Sequence, residues 1–352
     1  MKAARESIRR GAPQLSALIF LLVVNWVIFP PFFDVSLVDG RLTGSIIDVL
    51  NRAAPVALLS LGMAAVIATR GIDLSVGAIM AISGAVAASL VDAGHAWYVA
   101  VLCAIGAGLA SGLWNGFLVS VLRIQPIVAT LVLMVAGRGI AQLITAGQIT
   151  TFTNPQLAAL GSGALLGVPA PIIITVAVAA FLIFLARTTA LGMFIEAIGT
   201  NPHASYLVGI RTRALLISVY ACSGVTAAIA GVIVAADIRG ADANNAGLWL
   251  ELDAILAVVL GGASLLGGRL LFMMTLVGAV TLQALKTGIL LAGFPSEFNL
   301  VVMAAVVSTL LVLQAPPVHQ WWAKKIGGGR AVMAPWPALA SRRARPPGKP
   351  KP

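Results

Sequence analysis

Ten stretches of the chain are almost continuously apolar, each bounded by turn residues or charge. They run at about 14–33, 53–69, 74–91, 97–122, 126–146, 169–186, 214–236, 252–266, 270–292 and 299–315. Most approach the roughly 20 residues a helix needs to cross the hydrocarbon core of a bilayer. Proline stands near the start of several, at Pro55, Pro126 and Pro171. It is tolerated there because the first-turn N–H groups have no helical partner. The pattern predicts an all-α polytopic membrane protein with about ten transmembrane helices. Two five-helix halves are the expected architecture, although six runs precede the long 187–213 segment and four follow it. The expected organisation is a basic N-terminus over 1–13, a membrane domain over 14–315 and a basic tail over 316–352. That tail is rich in Gly, Pro, Arg and Lys and is expected to be disordered.

Composition supports the membrane assignment. Hydrophobic residues make up 59% of the 352 positions and charged ones only 10%. Soluble domains carry about 25% charged residues. The net charge of +11 lies mostly at the ends: eight of the 23 Lys and Arg follow residue 320, and four fall within the first ten. Basic flanks mark the cytoplasmic side of a membrane, and no groove-reading motif points to nucleic acid. With both termini cytoplasmic, 18 basic residues fall in inside segments and three outside, at Arg41, Arg52 and Arg239. The run 252–266 is the shortest, and Gly261 and Gly262 interrupt it. It suits a re-entrant, broken or tilted segment, but the charge count favours ten crossings. The first run lacks a small-x-small cleavage site and is expected to remain as an uncleaved span.

Little of the sequence points to covalent chemistry. There is no GxxxxGK[ST] phosphate loop for ATP. His95, His203 and His319 lack metal-ligand spacing, and Cys103 and Cys222 sit in apolar runs as expected buried small hydrophobes. No metal or cofactor is expected in this chain. Arg138, inside a span, needs an interior partner. Gln142 follows it at i+4 on the same face, and Trp114 and Asn115 join the candidates. They form either a polar path or an interhelical clasp; Lys286 snorkels or pairs. The segment 237–253 gathers Asn244, Asn245, Trp249 and Glu251 among other polar groups. Amides, carboxylates and an indole suit a sugar or a delivery protein, or simply cap the next helix. Gly71 permits a tight turn, and Asp73 caps the helix after it or meets cargo. Glycines at 108, 112 and 116 form a ridge that suits close helix packing or a path. Apolar positions 191, 194, 195 and 198 give the 187–213 segment a short helical stripe suited to docking a partner.

Several motifs occur in a telling order: Val66–Thr69, Gly71–Gly77 (GIDLSVG), Gly112–Gly116 (GLWNG), Gln125–Leu131 (QPIVATL), Arg138-Gly139, Glu251–Ile255 (ELDAI) and Gly261–Gly268 (GGASLLGG). With them, the chain resembles the permease subunits of ribose, xylose and galactoside-type ABC importers over about residues 45–295. Stretches 47–55, 235–253 and 287–291 are similar to galactofuranose importer permeases. The resemblance implies a non-catalytic subunit paired with a second permease, as a homo- or heterodimer. It further implies a cytoplasmic ATPase dimer that holds ATP and Mg, and a periplasmic sugar-binding protein. It makes 187–213 the coupling segment, with Glu196, Gly199, Asn201, Ala204 and Gly209 as its coupling residues. Arg70 and Lys286 depart from the family, which has a small residue and Asn there. Permeases for ribose or other sugars, branched-chain amino acids or nucleosides are the nearest alternatives. An ion-coupled transporter is disfavoured because every Asp and Glu falls near a span end or in a loop. An intramembrane enzyme lacks a catalytic pair.

Overall fold

The computed structural model describes residues 2–38, 40–293, 301, 304, 305, 308 and 309. The basic tail and most of the tenth apolar run lie outside the described residues. Twelve helices are described: α1 (Lys2–Ile28), α2 (Ser45–Ala68), α3 (Val76–Asp92), α4 (Trp97–Ser120), α5 (Pro126–Ile144), α6 (Pro155–Ser162), α7 (Ala170–Thr188), α8 (Leu191–Thr200), α9 (Pro202–Leu207), α10 (Thr212–Asp237), α11 (Leu250–Leu260) and α12 (Phe272–Leu291). Small antiparallel pairs decorate them: β1 (Ser36–Val38) with β2 (Arg41–Thr43), β3 (Thr150–Thr151) with β6 (Gly240–Ala241), and β4 (Ala164–Leu165) with β5 (Val168–Pro169). Among the described residues, α2, α4, α5, α7, α10 and α12 are long and apolar enough to cross a membrane.

Each of the first nine apolar runs contains a helix, with three corrections. Pro55 lies inside α2, which begins upstream at Ser45. The first run stops at Ile28, because Pro30 and Pro31 turn the chain into a 3-10 element over Pro30–Phe33. The run 252–266 is not one continuous helix: α11 ends at Leu260, and Gly262 takes a left-handed φ of 83°.

Within the unit Met1–Ala304, α10 is the central helix. It packs against α4, α2, α3 and α6, while α11 and α12 pack on α2, and α1 on α12. Helices after the 187–213 segment therefore interlock with those before it. Leu58, Leu59, Met63, Ile67, Ile79 and Tyr220 fill the shared core with essentially no exposure. In a bilayer the alternative neighbour of these side chains is lipid and not water, so close van der Waals packing holds this core.

The glycine ridge explains how closely α4 meets α10. A Cβ on Gly112 would lie 2.3 Å from the Tyr220 carbonyl oxygen, one on Gly108 2.5 Å from that of Gly224, and one on Gly116 2.7 Å from Ile217 Cα. These are packing contacts between backbones. Cys222 is half-buried on α10, but Cys103 is exposed on α4, which corrects the expectation of burial. An apolar outward face is ordinary where lipid or a second chain, rather than water, is the neighbour.

Candidate functional site

Three motifs distant in sequence converge on one buried node. The α2–α3 turn brings Asp73 inward, fully buried. Its Oδ1 accepts hydrogen bonds from the Ser75 amide (3.0 Å) and the Ser75 hydroxyl (2.6 Å). Its Oδ2 accepts from Ser223, nearly halfway along α10, at 2.8 Å. Asn115 of α4 donates to the Ser75 hydroxyl at 2.8 Å. Thr130 of α5 accepts from the Leu74 amide at 3.2 Å. Asp73 thus satisfies its own turn, yet it also ties α3 to α10 through a side chain. A buried polar network of this kind holds its helices in one register because each orphaned member costs about 1–3 kcal/mol. Its position also qualifies the sequence argument on acids: Asp73 lies in a turn, but the turn is folded into the bundle.

A second cluster joins α5 to the 237–253 segment. Arg138 donates to the Ala246 carbonyl and lies within electrostatic reach of Glu251. One turn on, Gln142 donates to Asn244 Oδ1 at 2.9 Å, and Asn244 reaches back to the Gly147 carbonyl at 3.4 Å. The β3–β6 pair adds a backbone clasp, with Thr150 opposite Ala241. Asp242 organises the exposed loop by accepting from the Asn245 side chain at 2.8 Å and from the amides of Asn244 and Asn245. The Asn245 side chain, followed by these amides, holds its carboxyl below the usual range. Asn115 belongs to the first cluster, not to this one. Trp114 and Trp249 are exposed, at 53% and 66%; Trp114 stacks on Phe117, and Trp249 sits in a left-handed turn before α11.

The first turn of α11 carries two carboxylates with different surroundings. Glu251 Oε2 is buried without a hydrogen bond among the described residues. It lies against Gly77, where an added Cβ would meet it at 2.5 Å and the Gly247 carbonyl oxygen at 2.4 Å. Asp253 instead pairs with Lys286 of α12 at 2.5 Å. Sequence alone could not find this partner, although it marked Lys286 as a departure.

The 187–213 segment folds into α8 and α9. Glu196 accepts from the Leu270 amide at 2.9 Å, so α8 is fixed to the turn before α12. At Gly199 the backbones nearly touch: an added Cβ would lie 1.8 Å from the Ala68 carbonyl oxygen and 2.5 Å from the Gly268 nitrogen. The Gly268 amide also donates to the Ala68 carbonyl at 2.9 Å. Arg70 caps the end of α8 by donating to the carbonyls of Gly199 and Thr200. Its φ of 67° is left-handed, where glycine is the low-cost residue. Asn201 caps α9 by accepting from the Ala204 amide at 3.0 Å, and Gly209 turns the chain with φ 87°. Met193, Tyr206, Leu207 and Val208 stand exposed along this segment. Gly71 packs under Tyr220, where a Cβ would meet the phenol oxygen at 2.6 Å.

A family model described as branched-chain amino acid transport system / permease component matches residues 45–311. The galactofuranose transporter permease protein of Escherichia coli K12 is 59% identical over 305 residues, which cover 87% of this chain and 89% of that protein. The fructose import permease protein of Bifidobacterium longum is 42% identical over 284 residues, 80% of each chain. The ribose import permease protein of E. coli K12 is 38% identical over 297 residues, 83% of this chain and 90% of that one. All the residues of both clusters and of α8 and α9 fall inside the family match.

Proposed function

The chain belongs to the family of branched-chain amino acid transport system permease components, and from that premise we propose that it is the membrane-spanning subunit of an ATP-driven sugar importer whose cargo is galactofuranose. The observation that carries the sugar is the 59% identity to a galactofuranose permease across 87% of this chain. Fructose and ribose relatives are matched at lower identity.

The subunit itself performs no covalent chemistry. It pairs with a second permease chain, and separate cytoplasmic ATPase subunits bind ATP and Mg. A periplasmic sugar-binding protein delivers the cargo. Both termini are cytoplasmic, and α8 and α9 dock on the ATPase through their exposed apolar side chains. Transport proceeds by alternating access. ATPase closure moves α8, and the Gly199–Ala68 and Arg70–Thr200 contacts pass that movement to the α2–α3 turn. The turn carries Asp73, and Gly77 follows in the first turn of α3, so together they address both α10 and the start of α11. The α5 clasp with Asn244 and Glu251 forms the outer gate, with Trp249 presented to incoming cargo.

Uptake of radiolabelled galactofuranose, fructose and ribose by cells carrying this chain and its partner genes tests the proposal, with an intact and a catalytically dead ATPase compared. ATPase-dependent uptake of galactofuranose is expected. ATPase-dependent uptake of another sugar alone overturns the cargo but keeps the mechanism. Uptake that survives the dead ATPase overturns the mechanism.

A further inference from the structure

An open groove of about 790 Å³ lies where the end of α4, α9 and the start of α10 meet. Arg123, Arg211, Arg213 and His203 line it, together with an apolar wall that includes Val119 and Leu216. The Lys286–Asp253 pair is the one salt bridge among the described residues, so these guanidinium groups have no carboxylate partner there. The Ser120 hydroxyl lines the same groove, buried and without a hydrogen bond among the described residues. In the first turn of α10 the Thr212 amide already donates to the Ile210 carbonyl and the Leu215 amide to that of Arg211, so the arginines carry the attraction for an anion. At the opposing end of α4, Leu122 and Ile124 donate to the carbonyls of Phe117 and Leu118. The groove is thus cationic and carries an unused hydroxyl.

Its position identifies the occupant. It sits at the ends of two apolar helices long enough to span a membrane. From it an exposed apolar stripe, Phe117, Leu113 and Leu109 at spacing four, runs back along α4. An anion with an acyl chain matches both parts, with its phosphate among the arginines and its chain along the stripe. We infer that this groove binds the headgroup of an anionic phospholipid. Because one wall is α9 with its flanking 210–214 residues, a bound lipid would also brace the segment proposed to meet the ATPase. Lipid binding itself depends on α4 and α10 as spans and not on the sugar.

The test uses the full chain purified in mild detergent, with phosphatidylglycerol and phosphatidylcholine as probes, read by native mass spectrometry. Selective retention of phosphatidylglycerol is expected. Each arginine near a membrane surface contributes about fivefold, so Arg123→Gln/Arg211→Gln/Arg213→Gln should weaken retention on the order of 100-fold. The matching Lys variant should restore most of it, and Arg52→Gln/Arg239→Gln should change little. Unchanged retention in the triple Gln variant overturns the inference. So does complete displacement by inorganic phosphate, which would mark a soluble-anion site. A photoactivatable phosphatidylglycerol on the unaltered chain gives a second measurement, free of any folding defect. Labelling confined to 109–124 and 202–216 supports the groove, and labelling only elsewhere overturns it. Binding of the ATPase that displaces the lipid from those peptides would make the groove a protein-docking surface and also overturn it.

Discussion

Asp73 concentrates the energetics of the buried node in one carboxylate. Replacing it with Ala leaves the Ser223 hydroxyl buried and unpartnered, and leaves the Ser75 hydroxyl without an acceptor although it still accepts from Asn115. The expected cost is about 3 kcal/mol, with Asp73→Asn milder because one acceptor oxygen survives; thermal unfolding in detergent measures both. The Asp253–Lys286 pair predicts a different signature. A double-mutant cycle with Asp253→Asn and Lys286→Met should give a coupling energy of roughly 1–3 kcal/mol, because each single change strands a partly buried charge. At Asp242 the pKa is depressed in the folded loop, so its contribution to loop order is complete at neutral pH. It is lost only as pH falls through the folded value, below the ordinary carboxylate pKa of about 3.9. The protection factors of the amides across 242–246, corrected for the intrinsic pH dependence of exchange, should therefore stay constant from about pH 7 to about pH 5 and fall below about pH 4. Arg138, Gln142 and Asn244 show what sequence could and could not tell. A charged residue inside an apolar run demands a partner, which was legible. That the partner is a backbone carbonyl, with Asn244 meeting Gln142 beside it, required the β3–β6 pairing, which no two-residue strand announces in a sequence.

At the scale of elements, the α4–α10 contact makes the sharpest prediction. Gly106 and Gly112 lie on the same helix, yet only Gly112 faces a neighbouring backbone. Gly106→Ala should stabilise the protein by about 0.5–1 kcal/mol through helix propensity. Gly112→Ala should destabilise it by about 1–3 kcal/mol, because α4 must move off the Tyr220 carbonyl. Thermal unfolding of the two variants side by side separates propensity from packing. The helices themselves were legible because lipid-facing and core-facing residues are both apolar, so hydropathy marks a span without knowledge of its neighbours. The same fact hid part of their rotation: the glycine ridge at 108, 112 and 116 marked a face of α4 suited to packing, but in a helix otherwise apolar all round Cys103 was expected to be buried and is exposed. The interruption at Gly261-Gly262 was visible as composition, but only the backbone shows that it ends α11 at Leu260.

For the whole molecule, the proposed orientation is open to direct labelling. In a background with Cys103→Ser and Cys222→Ser, His203→Cys should react with a membrane-impermeant thiol reagent only in inverted vesicles, and Asn244→Cys only in intact cells. The opposite pattern would reverse the topology and remove α8 and α9 from reach of a cytoplasmic ATPase. The family match over 45–311 and the sugar-permease relatives make this a transport machine, and the length of α11 bears on how movement would cross it. With 11 residues at 1.5 Å each, α11 covers about 16 Å, near half of a hydrocarbon core about 30 Å thick. The chain then continues through Gly261 to Leu271 without a helix, and the amides of Gly268 and Leu270 in this stretch donate to the Ala68 carbonyl and to Glu196 of α8. As a lever α11 is therefore short: any displacement of the stretch held by α8 would reach the Glu251 end over about half a bilayer thickness.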